Sequence, residues 1–313
     1  MKTIGTVAEL RAMLDRHRRA GERIGLVPTM GAFHEGHLSL MRAARSACDV
    51  VVVSLFVNPT QFNDAADLEA YPRDERRDAA LAAEQGVDYL FAPGAADVYP
   101  VGFSTSVAVR GITDGLEGAH RGHAHFDGVT TVVTKLLNMV GPDVAYFGQK
   151  DIQQAAVIRR LVADLDMPVR IEICPIVRAG DGLALSSRNV RLSAEDRERA
   201  TALYRALRAV TAAASAGERD PAAATAAGRA VLRADGIEPE YLELVDPATM
   251  EPVTRMRGDV LAVVAAHVGP VRLIDNALIA AVPGASNHSH ASMNDHRSTG
   301  GDPVRGANQP QEA

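Results

Sequence analysis

The stretch 24–56, IGLVPTMGAFHEGHLSLMRAARSACDVVVVSLF, changes its hydrophobic period twice. Ile24–Val27 is a short apolar run that Pro28 should stop. Leu38 to Ala47 has helical spacing, with Leu38, Met41 and Arg45 in register. Val50 to Phe56 is a continuous β-branched run, the mark of a strand buried on both faces. A strand, a helix and a strand in so short a span form a βαβ unit whose strands lie parallel.

The alternation extends outward from this unit. Thr6 caps a helix over 6–20, with Glu9 three residues on and Val7, Leu10, Met13 and Leu14 on one face. Helices are expected over Arg73–Gln85, Val129–Val140 and Ile152–Asp164, and strands over Val87–Phe91, Asp143–Phe147 and Val169–Ile173. The fold class is therefore α/β, a doubly wound parallel sheet, whose ligands bind outside the carboxyl ends of the strands. Near residue 177 the character changes. Residues 193–235 are Ala- and Arg-rich and helical, with a break at Gly217–Pro221, and three strand-like stretches follow at Tyr241–Val245, Val260–Val268 and Val271–Ala281. We expect a first domain at 1–176, a smaller α+β domain at 177–284, and a disordered tail at 285–313. That tail holds His288, His290 and His296 and too few large apolar residues to offset its ordering entropy.

Composition narrows the function classes. A net charge of −6 leaves no basic excess for nucleic acid. Cys48 and Cys174 sit in apolar runs and read as buried thiols, not as a disulfide or zinc framework. With no apolar leader and no run long enough to span a bilayer, the expectation is a cytoplasmic protein without membrane contact.

The residues just after each strand carry the chemistry. In Pro28-Thr-Met-Gly-Ala-Phe-His-Glu-Gly-His37, Gly31 permits a tight turn, and Gly36 stands where a helix N-terminus would face an anion. His34 and His37, three residues apart, point the same way and could bind phosphate oxygens. A metal site or a structural pair are the alternatives, although HEGH is not the HExxH zinc pattern. After the next strand, Gln61 offers an uncharged amide suited to a hydroxyl or carboxylate. In 71–78, Asp74, Glu75 and Asp78 are either Mg²⁺ ligands or first-turn acids that complement a helix dipole. Gly148-Gln149-Lys150-Asp151 opens another turn, with Lys150 suited to phosphate and Gln154 one helical turn on. Ser186-Ser187-Arg188 could be an anion-binding loop on a closing lid. Arg121, His123 and His125 lie in a Gly- and His-rich loop that lines a site or faces solvent.

Taken in order, PTMGAFHEGH, FVNPTQF, YPRD, FGQKDIQQ and DGLALSSRN resemble the pantoate–β-alanine ligase family over residues 1–283. The HxGH element alone is shared with a wider nucleotidyltransferase superfamily. The resemblance implies a Rossmann-like ATP domain, a C-terminal lid domain and a homodimer. It implies that pantoate attacks Mg-ATP to give pantoyl adenylate and pyrophosphate, and that β-alanine then gives pantothenate and AMP. Carried over, Met30, Gly31, Ala32, Phe33, His34, Glu35, Gly36 and His37 would contact ATP, with His37 as the assigned proton donor. Gly148, Gln149, Lys150, Asp151, Val177, Leu185, Ser186, Ser187 and Arg188 would also bind ATP. Gln61 and Gln154 would hold pantoate, Gln61 would also meet β-alanine, and Asp78 would be the magnesium-associated aspartate. On this reading His34, His37, Lys150 and Arg188 supply the positive groups on the triphosphate. Thr60, Gln149 and the loop Arg121-Gly-His-Ala-His-Phe126 depart from the family pattern. The rivals are a nucleotidyltransferase acting on a phosphorylated substrate, which would call for basic residues at 61 and 154, and an inactive nucleotide-binding scaffold.

Overall fold

A computed structural model describes residues 1–63 and 65–280. Six parallel strands form the main sheet: β1 (Lys2–Ile4), β2 (Ile24–Thr29), β3 (Val50–Leu55), β4 (Tyr89–Phe91), β5 (Val144–Gly148) and β6 (Arg170–Cys174). Their order is β1-β4-β3-β2-β5-β6. From β2 the chain builds to one side through β3 and β4, then returns to build β5 and β6 on the other. The carboxyl ends of β2 and β5 therefore flank the switch point where the crevice of such a sheet lies.

The valine run shows why this sheet is buried on both faces. Val50 and Val52 join the cluster formed with helices Val7–Arg19, His123–Val140 and Ile152–Asp164. Val51 and Val53 point the other way, among Leu40, Met41, Ala44 and Ala82 of helices Glu35–Ala47 and Glu75–Glu84. Each fully buried valine contributes roughly 1.5–3 kcal/mol.

Several boundaries move. Helix Glu35–Ala47 begins three residues early because His34 caps it, and β1 was not foreseen, being only three residues long. Pro28 does not stop β2. Thr29 accepts from Phe56 N on the β3 side, and Ile24 accepts from Asp143 N on the β5 side. Alternation along the strand turns residue 28 toward β5, where the ladder has already ended at Leu26↔Ala145. The N–H that proline lacks therefore has no partner to lose.

Beyond β6 the chain forms helices Ala194–Ala200, Ala202–Ser215 and Pro221–Ala234 and an antiparallel sheet of β7 (Pro239–Val245), β8 (Val260–Val268) and β9 (Val271–Ile279). One sheet face packs on Leu203, Leu207 and Val210 of its own helices. The other buries Tyr241, Val263 and Ala265 against Leu116 and Ala156, so Met1–Ala281 pack as one compact unit. The expected tail, with His288, His290 and His296, lies outside the described residues.

Candidate active site

The loop leaving β2 is held from below. Gly31 has φ +88°, and a Cβ there would meet Asp78 Oδ2 at 3.0 Å. Ala32 follows at φ +53°, a left-handed conformation that few alanines adopt. The Asp78 carboxylate fixes this turn: Ala32 N donates to Oδ2 at 2.7 Å and Phe33 N to Oδ1 at 2.8 Å. Asp78 is 1% exposed. Phe33 is buried in the core, and Glu35 faces outward to pair with Arg42.

His34 and His37 cap the helix reciprocally. Gly36 N donates to His34 Nδ1 at 3.1 Å, and His34 N to His37 Nδ1 at 3.4 Å, with the ring centroids 4.2 Å apart. Because both Nδ1 atoms accept, each neutral ring carries its proton on Nε2. Burial, then the Lys150 charge, lowers the His34 pKa to about 4. Burial, then His34, lowers that of His37 to about 3. The imidazoles counted from sequence as positive groups are therefore neutral hydrogen-bond donors at pH 7.

After β3, Asn58 organises the turn that presents Gln61. It is 1% exposed and donates from Nδ2 to Gln61 Oε1 and to Gly128 O, both at 3.1 Å. Its Oδ1 accepts from Thr60 Oγ1 and the Tyr99 hydroxyl, each at 2.9 Å. Gln61 Nε2 reaches Met30 Sδ at 3.0 Å. Gly128 lets helix His123–Val140 approach, since a Cβ there would lie 2.4 Å from Thr60 O.

After β5, Lys150 Nζ lies 3.1 Å from Asp151 Oδ1. Gln149 turns away: its Nε2 donates to Asn276 Oδ1 at 3.0 Å, and Asn276 Nδ2 returns a bond to Gln149 O at 2.8 Å. Thus β9 is tied to the loop that carries Lys150. Asp275 takes a bidentate pair from Arg178 at 2.6 and 2.9 Å, which fixes the hairpin in which Leu185 N donates to Val177 O at 3.0 Å. Ser186 Oγ accepts from Arg188 N at 3.3 Å. Ser187 bonds to Tyr71, whose hydroxyl pKa burial raises.

These loops enclose two adjoining cavities. The first, about 250 Å³, is lined by Met30, His34, Gly36, His37, Gly148, Lys150, Asp151, Val177 and Leu185–Arg188. The second, about 220 Å³, is lined by Glu117, Arg121, His125, Tyr241, Asp275 and Asn276 among others. Met30, Gln61, Lys150, Asp151, Gln154 and Arg188 line both. Of the residues singled out in the sequence, Gly31, Ala32, Phe33, Glu35, Asp74, Glu75, Asp78 and Gln149 line neither cavity, and Asp74 caps helix Glu75–Glu84 by accepting from Arg77 N. His123 faces Asp114 at 3.8 Å, on the surface. Sequence reasoning missed Asn58, Tyr71 and Asn276. The first two lie inside the quoted FVNP and YPRD motifs, whereas nothing local marks Asn276.

Glu117, also missed as a site residue, anchors the second cavity's floor. It accepts from both terminal nitrogens of Arg272 at 2.8 and 2.7 Å, from Arg121 Nε at 2.9 Å and from the Tyr241 hydroxyl at 2.7 Å. Burial alone would raise its pKa; Arg272, then Arg121 and Tyr241, outweigh that and hold it at about 2. A carboxyl depressed this far stabilises the fold above its unfolded pKa by about 3 kcal/mol, and that contribution is lost as pH falls from about 4.5 toward 2. Wild-type denaturation midpoints should therefore fall more steeply across this window than those of Glu117→Gln. Parallel slopes would show that the cluster contributes no such linkage.

The family model described as pantoate-beta-alanine ligase matches residues 2–278. The chain belongs to the pantoate–β-alanine ligase family. It is 57% identical over 271 residues to the pantothenate synthetase of Cereibacter sphaeroides, covering 87% of this chain and 97% of that one. The Thermus thermophilus pantothenate synthetase superposes with a TM-score of 0.84 at 49% identity, over 88% of this chain and 99% of that one. The Francisella tularensis pantoate–β-alanine ligase, complexed with β-γ ATP and β-alanine, gives 0.74 at 35%, over 89% and 97%. The chain is thus an enzyme, a ligase of pantothenate biosynthesis, and no described helix is long and apolar enough to cross a membrane.

Proposed function

We propose that this cleft condenses pantoate with β-alanine at the expense of ATP, through an enzyme-bound pantoyl adenylate. The observation that carries the reading is the arrangement of the two cavities. Donors and cations suited to phosphate line the first, and two uncharged amides, Gln61 and Gln154, stand at the boundary with the second. In the first step a pantoate carboxylate oxygen attacks the α-phosphorus, and the bond to pyrophosphate breaks. His34 and His37 donate from Nε2, while Lys150 and Arg188 offset the charge that develops. His37 acts as a neutral donor and not as an imidazolium acid. Gln61 and Gln154 orient the acid, and β-alanine reaches the acyl carbon from the second cavity.

Magnesium enters this reading with the triphosphate, whose charge it would partly neutralise. Asp78 does not fit as its ligand, because both oxygens are buried and already accept backbone N–H groups. No group of three or more His, Cys, Asp or Glu able to hold a metal occurs among the described residues. The reading also carries a cytoplasmic homodimer, with 1–176 binding ATP and pantoate and the segment from 177 onward closing as a lid through Val177 and Leu185–Arg188.

The purified chain should release pyrophosphate from Mg-ATP with pantoate alone, and form pantothenate and AMP once β-alanine is added. Release with a different acid but not with pantoate would overturn the assignment.

A further inference from the structure

The reading above gives His125 no part in the first step, and its geometry suits the second. It lies in the first turn of helix His123–Val140 and lines the second cavity. Its Nδ1 is 2.7 Å from the backbone carbonyl oxygen of Gln61. A carbonyl only accepts, so Nδ1 carries the proton and Nε2 holds the lone pair. Nε2 makes no hydrogen bond among the described residues. The ring is thereby locked in the tautomer opposite to that of His34 and His37: they offer an N–H, and His125 offers an acceptor. Arg121, Glu117 and Asp151 are the charged groups that face it. Burial, then Arg121, lowers its pKa, so the lone pair is available at neutral pH.

We propose that His125 is the general base of amide formation, taking a proton on Nε2 from the ammonium of the incoming amino acid. This rests on the adenylation reading above. β-Alanine arrives as an ammonium, which has no lone pair for attack. Transfer of one proton to His125 frees the amine. The amine nitrogen then forms its bond to the acyl carbon, the bond from that carbon to the AMP oxygen breaks, and AMP leaves with the electron pair. The second nitrogen proton is released to solvent as the adduct collapses. The carbonyl that fixes the base belongs to Gln61, whose side chain stands at the cavity boundary. One residue thus registers the acid and the base against each other.

The test separates the two half-reactions in His125→Asn and His125→Gln, each of which keeps an N–H donor for the Gln61 carbonyl. Pantoate-dependent ATP–pyrophosphate exchange should stay within about twofold of wild type, as expected for a group acting only after adenylation. Amide formation with β-alanine at pH 7 should fall by about 10²–10⁴, the usual worth of a positioned base. The deficit should narrow as pH rises and free amine replaces the missing base. Hydroxylamine, uncharged at neutral pH, should trap the adenylate at nearly the wild-type rate. Equal losses with β-alanine and hydroxylamine, loss of exchange in both variants, or undiminished amide formation would each overturn the proposal. Absence of pantoate-dependent exchange in the wild-type enzyme would instead defeat the adenylation reading beneath it.

Discussion

Lys150→Met is expected to lower pantoate-dependent ATP–pyrophosphate exchange by about 10³, at the upper end of what removal of one preorganised donor costs. The electrostatics of the first cavity explain the size. With His34 and His37 neutral, Lys150 and Arg188 are the permanent cations lining it, and Asp151 is the carboxylate beside them. Removing the ammonium takes a charge from the phosphates and also leaves Asp151, 3.1 Å from the lost nitrogen, facing them uncompensated. The doubly substituted Lys150→Met, Asp151→Asn enzyme should therefore recover part of the loss. The fold should be little affected, because a partly buried, solvent-accessible pair of sequence neighbours like this one contributes about 1 kcal/mol to stability. An exchange rate within tenfold of wild type would remove Lys150 from the adenylation step.

The second large effect is expected at Asp78, and it is one of structure before chemistry. Asp78→Ala leaves the Ala32 and Phe33 amides without acceptors in a buried turn, and releases Ala32 from a left-handed conformation it otherwise avoids. Two charge-assisted bonds at about 1.5–3 kcal/mol each give an expected destabilisation of about 3–6 kcal/mol. Asp78→Asn should fall between, since an amide offers one oxygen and turns an NH₂ toward the second donor. Activity should drop with both, because the turn leads directly into the His34 cap. Excess Mg²⁺ or Mn²⁺ should not restore it. Metal rescue of a stably folded Asp78→Asn enzyme would return the residue to the role of a magnesium ligand.

These cases show where the sequence was sufficient. The βαβ unit at 24–56 and the strands that follow are written in local periodicity, so the doubly wound class and the loops bearing His34, His37, Gln61, Lys150 and Arg188 could be read from spacing alone. An HxGH or GQKD segment also needs only its neighbours to declare a turn and a helix start. Pro28 shows the limit. Its rule is local, but the exception depends on where β5 stops.

What the sequence by itself determined is the architecture and the segments that meet at the ends of β2, β3 and β5, because burial alternation and helix spacing are properties of consecutive residues. Only the tertiary structure decided what each polar atom does. Whether Asp78 serves a metal or a backbone turn, whether His37 is charged, which tautomer His125 holds and why Gln149 faces Asn276 all depend on partners distant in the chain. A lone pair or a proton is assigned by the group across from it, and that group is chosen by folding.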